Sequence, residues 1–179
     1  MTGTTKHFFI SQRDLARVRE SNARPHLRTQ IFATLCRINA LSMIAHAGSG
    51  HIGSSFSSMD IVSWLYLNEM ETDQDKLDQC PLFFSSKGHD APGFYSVLIG
   101  CGLLGEEMLT RLRRIDGLPG HPDIGTPNVV TNTGSLGMGI SKAKGIAVAD
   151  RLRGRERQLF VMTGDGELQE GQIWESAIG

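Results

Sequence analysis

The chain has 179 residues, a formal net charge of -1 and 40% hydrophobic residues. Because the net charge is near zero and no apolar run approaches the ~20 residues of a membrane span, neither nucleic acid nor a membrane is expected as a partner. Its length suits one domain, spanning residues 1–179, with its own core. The three cysteines (Cys36, Cys80 and Cys101) are odd in number and widely spaced, and residues 1–14 predict no secretory signal, because they contain no long apolar stretch. These features favour the cytoplasm and disfavour disulfides or a zinc site.

The first third of the chain predicts three helices. Residues 11–20 predict a charged helix capped by Ser11. A long amphipathic helix follows Pro25 and ends at Gly48-Ser49-Gly50-His51. Its apolar side is marked by residues at helical spacing: Ile31, Leu35, Ile38, Leu41 and Ala45. A third helix, over residues 58–69, is predicted with Ser57 or Ser58 as its cap and three residues turned inward: Ile61, Leu65 and Tyr66.

The middle of the chain alternates between strand, helix and loop signals. A polar connection over 71–79 leads into a buried strand at 81–85, and helices are predicted at 92–99 and 106–114. Residues 115–133 carry three prolines and no periodicity, and a loop of this length is usually functional or disordered. An Ala-rich helix at 134–153 is expected to face the core through four residues: Ile140, Ala143, Ile146 and Ala147.

The stretch 158–172 predicts a strand, a glycine turn and a helix. The apolar run 159–162 is typical of a strand buried on both faces, and the helix from Glu167 has four residues that can share an apolar side: Leu168, Ile173, Trp174 and Ala177. Asp165, between two glycines, follows the strand at the end where open α/β sheets bind ligands. It is either a helix cap or the ligand of a hard cation that shares a phosphate with backbone amides. The predicted fold class is α/β, with helices on both faces of a parallel sheet.

Three histidines each follow a glycine: His51, His89 and His121. Neutral imidazole donates and accepts hydrogen bonds near pH 7, so converging histidines suit the handling of polar substrates and proton transfer. The alternative is that each one satisfies backbone groups of its own loop.

Two further patterns are a glycine-rich segment at 133–139 and an arginine-rich segment at 151–157. The glycines of 133–139 open a helix, where free N–H groups can contact an anion or a cofactor, although small residues for close packing explain them equally well. Their spacing is not that of the dinucleotide fingerprint. Four arginines at 151, 153, 155 and 157 precede the strand, opposite Asp165, and indicate a solvated helix end better than a site for an acidic partner.

Four motifs in order give a resemblance to a known family: SGHIGSSFSSMDIV, SKGHDAPGFYSVL, LPGHPDIGTPNVVTNTGSLGMGIS and GDGELQEGQIWESA. From about Leu27 to the last residue the chain resembles the N-terminal part of transketolase, a thiamine diphosphate enzyme that moves a two-carbon ketol unit between sugar phosphates. The resemblance implies a thiamine-diphosphate-binding fold that is incomplete at its C-terminus. In the family pattern, a second metal ligand (an asparagine) and a pyrimidine-binding domain with the activating glutamate are expected after the position that matches Gly179.

The resemblance also implies roles for single residues. Asp165 matches the Mg²⁺ ligand, and two catalytic histidines, His51 and His121, match those that face the sugar hydroxyls. Positions that match cofactor or subunit-bridging contacts are His89, Gly134, Ser135, Leu136, Gly166, Ser54 and Glu170. Ile52 and Met138 depart from the residues usual in the family, and neither removes a ligand.

The resemblance implies partners as well: sugar phosphates as substrates, and a second copy or a chain that carries the pyrimidine-binding domain. The chain alone is therefore expected to be inactive. Two alternatives remain: another thiamine diphosphate transferase, such as a deoxyxylulose-phosphate synthase type, and a non-catalytic fragment that only pairs with another chain.

Overall fold

A computed structural model describes residues 8–70 and 79–178. The chain divides into two compact units. The described part of the first comprises residues 8–67 and 89–120, and that of the second comprises 68–70, 79–88 and 121–178. A single domain over 1–179 stays a prediction, and the predicted polar connection at 71–79 lies almost wholly outside the described residues.

The first unit consists of helices and turns. Helix α1 (Gln12–Arg19) begins as predicted, because Ser11 Oγ accepts a hydrogen bond of 3.1 Å from the Asp14 N–H. The other helices are α2 (Pro25–Ala47), α3 (Ile52–Trp64), which a π-helical turn (Leu65–Glu69) follows, and α4 (Ala91–Gly100). Helix α2 ends at the predicted turn, where Gly48 adopts a left-handed conformation with φ 68°.

The predicted start of α3 at residue 58 is wrong by six residues. The helix begins at Ile52, and His51 is its N-cap. The serines that suggested a cap lie inside the helix, where Ser58 Oγ donates to the Ser54 carbonyl at 2.9 Å. A serine hydroxyl that bonds a carbonyl one turn earlier is compatible with a helix interior.

The predicted apolar side of α2 is not its buried side. Ile31, Ile38 and Leu41 are 40%, 37% and 45% exposed. The buried stripe consists of Thr29, Phe32, Ala33, Cys36, Asn39, Ala40, Met43 and Ile44. Because α2 is apolar on more than one side, periodicity alone marks two stripes, and packing against α3 and α4 selects one.

Helix α3 shows the same error. Ile61, predicted to turn inward, is 56% exposed, while its neighbours Met59 and Val62 are buried. Leu65 and Tyr66 are half-buried. The first unit therefore buries residues adjacent to those that the sequence pattern favoured.

The predicted helix at 106–114 is shorter than expected. A 3₁₀ helix covers Glu106–Thr110, and Leu112 then pairs with Leu118 across a tight turn. Arg113, with φ 55°, donates its N–H to the Leu118 carbonyl at 2.7 Å. A left-handed residue cannot continue a right-handed helix, so the helix ends before it.

The second unit contains two parallel strands, β1 (Leu82–Ser85) and β2 (Leu159–Met162), which pair in register from Leu82–Leu159 to Ser85–Met162. Its helices are α5 (Met138–Leu152), a 3₁₀ turn (Glu167–Gln169) and α6 (Gly171–Ile178). The predicted α/β class with a parallel sheet is confirmed. Among the described residues, no helix combines the length and apolarity of a membrane span.

Burial in the second unit is lower than predicted. All four residues of β2 are half-buried, because β2 pairs with β1 along one edge and has no second strand neighbour within the described chain. In α5, three of the predicted core residues are half-buried and Ala147 is exposed. In α6 Ile173 is buried, whereas Trp174 and Ala177 are exposed, as is Leu168 in the preceding 3₁₀ turn.

The arginine cluster is only partly solvated. Arg157 donates two hydrogen bonds to Asp150, from Nε at 2.7 Å and from Nη2 at 2.9 Å, and these bonds lower the pKa of Asp150. Arg151 and Arg153 are exposed, as predicted. A surface cavity of about 530 Å³ lies beside this cluster, lined by Gln79, Arg153, Gly154, Arg155 and Glu156. None of the predicted site residues lines it.

Candidate active site

Three segments of the second unit meet at the carboxyl ends of β1 and β2. Gly88, after β1, adopts φ 69°, and a Cβ there would lie 2.6 Å from Gly134 N and 2.7 Å from Thr133 Oγ1. A Cβ on Gly139 would lie 2.1 Å from Ser86 Oγ. Only glycine permits these approaches at positions 88 and 139, so Gly139, in the first turn of α5, serves close packing, one of the two interpretations left open by the sequence.

The third segment is the turn that carries Asp165. Two backbone hydrogen bonds close this turn. Leu168 N–H donates to the Gly164 carbonyl at 3.0 Å, and Gln169 N–H donates to the Gly166 carbonyl at 3.1 Å. The Asp165 side chain is exposed and makes no hydrogen bond or ion pair within the described residues. The N-cap of the following 3₁₀ turn is Gly166, so the interpretation of Asp165 as a helix cap is wrong.

Asp165 is the one metal ligand that the sequence predicts in this chain. Within 8–70 and 79–178, no group of three or more His, Cys, Asp or Glu side chains could hold a metal ion. Mg²⁺ is usually bound by one or two carboxylates together with phosphate oxygens and water. An unpaired carboxylate at a strand end therefore fits a magnesium ion that arrives with a diphosphate.

The long segment 115–133 has no helix or strand, as predicted, and it is ordered by hydrogen bonds. Thr133 N–H donates to the Pro122 carbonyl at 3.1 Å, and Ile124 N–H donates to Asn132 Oδ1 at 2.8 Å. This folding brings the exposed His121 beside Gly134, where a Cβ would lie 2.8 Å from His121 Cδ2. Two predicted site residues thus lie in contact in the second unit.

The other two histidines meet in the first unit. The ring centroids of His51 and His89 are 5.3 Å apart, with an edge-to-face angle of 62°. The His51 side chain is exposed and makes no hydrogen bond within the described residues, so the interpretation that it satisfies backbone groups of its own loop is not seen for it. Ser54, one turn into α3, has a buried hydroxyl without a hydrogen-bond partner in the described part of the chain.

The remaining predicted residues lie at the surface of the second unit. Ser135 and Leu136 are exposed in the segment that leads to α5, and Gly166 has open space where a Cβ would point. Glu170 is exposed and lies next to Gly137, where a Cβ would come within 3.1 Å of Glu170 Cβ. Together with Asp165 they are open to solvent and able to meet a ligand.

Glu167 is the residue that sequence reasoning missed. The sequence predicts it only as the first residue of a helix, yet it is 2% exposed and accepts hydrogen bonds from Gly137 N–H, Gly164 N–H and Ser86 Oγ. One of the two interpretations of 133–139 has the amides of Gly137 and Gly139 face an anion or cofactor, but they are bonded to Glu167 and Ser86 instead. An acid directly after Gly-Asp-Gly was the available signal.

Comparison with known proteins decides the family. Residues 28–178 match the family described as transketolase, thiamine diphosphate binding domain. The chain belongs to the transketolase family. This result confirms the resemblance inferred from the four motifs and agrees with its extent.

Individual transketolases give the same result. The chain is 39% identical over 146 residues to an apulose-4-phosphate transketolase subunit of Actinobacillus succinogenes, covering 79% of this chain and 52% of that protein. It is 36% identical over 153 residues to 6-deoxy-6-sulfo-D-fructose transketolase subunit SqwG of a Clostridium species, covering 82% and 54%. Human transketolase is 34% identical over 148 residues, which cover 80% of this chain and 24% of the human one. The chain thus spans about half the length of the subunit relatives.

Proposed function

We propose that this chain supplies the cofactor-binding part of a transketolase that transfers a two-carbon ketol unit between sugar phosphates. The proposal is carried by the unpaired carboxylate of Asp165, which lies in a glycine turn at the carboxyl end of β2. The family match over 28–178 supports thiamine diphosphate as the cofactor. Cytoplasmic location stays a prediction from the cysteine pattern.

The cofactor-facing residues have distinct tasks in this proposal. Asp165 supplies an anionic oxygen to Mg²⁺, and the Gly166 N–H and the His89 ring contact the diphosphate. Gly134, Ser135 and Leu136 line the thiazolium and aminopyrimidine rings, Ser54 adds a hydroxyl contact, and Glu170 faces a neighbouring subunit. When bound, thiamine diphosphate supplies a carbon nucleophile for the carbonyl of a ketose phosphate.

Proton handling falls to the exposed histidines. His51 and His121 are both open to solvent. A single neutral imidazole can accept a proton from one hydroxyl and donate a proton to another. We propose that they orient the sugar hydroxyls and carry the protons that ketol transfer moves.

A second chain completes the enzyme in this proposal. Two of the relatives are named as subunits, and this chain spans about half the length of each. We therefore propose that a chain with a pyrimidine-binding domain, alone or with a second copy of this chain, is needed for turnover. The relatives' names favour transketolase over a deoxyxylulose-phosphate synthase, and the non-catalytic alternative is an outcome of the experiments below.

The metal role is tested by Asp165→Asn in the complete enzyme, with Asp116→Asn as a matched control. Both carboxylates are exposed and lie in turns, and Asp116, at φ 58°, tolerates Asn because Asn also adopts left-handed backbone. Titrating thiamine diphosphate by calorimetry at several Mg²⁺ concentrations should show affinity at least about tenfold weaker for Asp165→Asn, because the cation loses an anionic oxygen. Unchanged affinity in Asp165→Asn would remove the central support for the proposal.

The histidine roles are separated by His89→Ala and His121→Ala, with His26→Ala as the control. His26 stacks on Trp64 at 4.8 Å and has no assigned part in binding. His89→Ala should mainly raise the cofactor dissociation constant, because its contact exists in every state of the cycle. His121→Ala should keep cofactor affinity and lower kcat on the order of 10²-fold, as expected for a lost acid-base group. Equal cofactor defects in the two variants, or normal turnover in His121→Ala, would contradict these roles.

A further inference from the structure

Glu167 is a buried carboxylate among exposed neighbours. It is 2% exposed, whereas Asp165, Gly166 and Leu168 beside it are exposed. Removing a carboxylate from water is unfavourable unless hydrogen bonds or opposite charges replace the lost hydration. Its contacts therefore indicate why the chain places an acid there.

Glu167 accepts hydrogen bonds on both carboxylate oxygens. Oε1 accepts from Ser86 Oγ and from Gly137 N–H at 2.9 Å, and Oε2 accepts from Gly164 N–H at 3.0 Å. Ser86 Oγ in turn accepts from Gly139 N–H at 3.1 Å. Within the described chain, Glu167 forms no ion pair. Its charge is instead compensated by loop amides and by the N-terminal end of α5, where Gly137 is the N-cap.

These bonds join three segments. Each segment contains or adjoins a residue predicted to contact the metal or the cofactor. Gly164 immediately precedes Asp165, and Gly137 immediately follows Leu136. Ser86 directly follows β1, three residues before His89. Ser86 and Glu167 are 81 residues apart in sequence, so one carboxylate fixes loops that no local interaction would hold together.

We propose that Glu167 is a positioning residue for the metal and cofactor: it sets the Asp165 turn against the segment that leads into α5. This inference rests on the proposed function and concerns a residue that touches neither ligand in that proposal. Partners that orient metal ligands typically contribute 10–100-fold to metal affinity. Loss of Glu167 should therefore weaken Mg²⁺-dependent binding while Asp165 itself stays intact.

The test compares Glu167→Gln with Asp150→Asn in the complete enzyme. A glutamine has one acceptor oxygen, so it leaves either Gly164 N–H or the Gly137 and Ser86 donors facing an NH₂ group. Asp150 is a matched control, because it is a buried carboxylate of the same unit whose partner is the Arg157 side chain. Both variants should lower the melting temperature. Only Glu167→Gln should weaken thiamine diphosphate binding by about tenfold or more at limiting Mg²⁺, with kcat largely recovered at saturating Mg²⁺ and cofactor.

A second measurement does not depend on activity. Hydrogen exchange of this chain without ligand, read by NMR at Gly137 and Gly164, should be at least about tenfold faster in Glu167→Gln and unchanged in Asp150→Asn. If Glu167→Gln does not fold, Ser86→Ala replaces it, and the same two measurements should show a smaller change in the same direction.

Each outcome has a defined meaning. Equal cofactor affinity in Glu167→Gln and Asp150→Asn, together with a defect in Asp165→Asn, overturns the positioning role and leaves the proposed function standing. Wild-type affinity in both Glu167→Gln and Asp165→Asn overturns the proposed function, and the inference with it. A Glu167→Gln defect with unchanged exchange at Gly137 and Gly164 also overturns the inference, because the loops would then be held by other contacts.

Discussion

The two units of this chain are stabilised in different ways. Among the described residues, the second unit buries the apolar side chains of Phe83, Phe84, Pro122 and Ile173, whereas the large majority of the buried apolar side chains belong to the first unit. Burial in the first unit raises the pKa of the Cys36 thiol and raises that of Cys101 to about 12. In the second unit, β2 is half-buried, and its site loops are joined by hydrogen bonds to Glu167. The first unit is therefore fixed by apolar packing, whereas polar contacts order the site loops of the second.

The largest expected effect is the loss of an aromatic side chain from the first unit. Phe32 is fully buried, and its ring occupies the space beside Gly100, where a Cβ would lie 2.7 Å from Phe32 Cζ. Phe32→Ala should lower the free energy of unfolding by about 3–5 kcal/mol, because it leaves a cavity. Urea denaturation measures the change.

The matched variant in the second unit is Phe160→Ala. Phe160 lies in half-buried β2, so its loss should cost roughly 1–2 kcal/mol. Ile115→Ala, at a side chain 91% exposed, should change stability by less than about 0.5 kcal/mol. Equal losses for Phe32→Ala and Phe160→Ala would break the contrast between the units.

A smaller effect is expected at helix glycines, and its sign should differ between sites. In α4 a Cβ on Gly93 would lie 2.8 Å from the Ser55 carbonyl oxygen, so Gly93→Ala should destabilise by about 1–3 kcal/mol. In α5 a Cβ on Gly145 would meet nothing within 4 Å, so Gly145→Ala should stabilise by roughly 0.5–1 kcal/mol.

Gly53→Ala in α3 is the control for this pair. Gly53 belongs to the first unit, but a Cβ there also meets nothing within 4 Å. Thermal unfolding should show stabilisation in Gly53→Ala as in Gly145→Ala, which assigns the Gly93 effect to its contact with Ser55. Destabilisation of all three variants would contradict the packing argument.

The smallest effect concerns the pH dependence of the Asp150 ion pair in the second unit. Hydrogen bonds from Arg157 hold the pKa of Asp150 below its ordinary value of 3.8. A carboxyl group with a lowered pKa stabilises the fold above its unfolded pKa and loses that stabilisation as pH falls through the folded pKa. The wild-type chain should therefore lose more stability than Asp150→Asn between pH 5 and roughly pH 3. Parallel pH profiles of the urea midpoint in the two proteins would contradict this.

The sequence by itself determined much of the local structure, including the turn that carries Asp165. The apolar run 159–162 predicted β2, the Ser11 cap predicted α1, and the glycine turn after β2 placed Asp165 at the carboxyl end of a parallel strand. Such features depend on residues within one or two turns of chain, where propensity and capping act. The four motifs also identified the family, which the match over 28–178 confirmed.

The tertiary structure alone decided which faces are buried and how the site loops are joined. Helix α2 offers two apolar stripes, and its contacts with α3 and α4 bury the one that contains Phe32 rather than the one that contains Ile31. Glu167 is adjacent to an exposed turn in sequence, and it becomes buried because Ser86, 81 residues earlier, and Gly137 reach its carboxylate. Both choices depend on residues far apart along the chain, which no periodicity within a single element records.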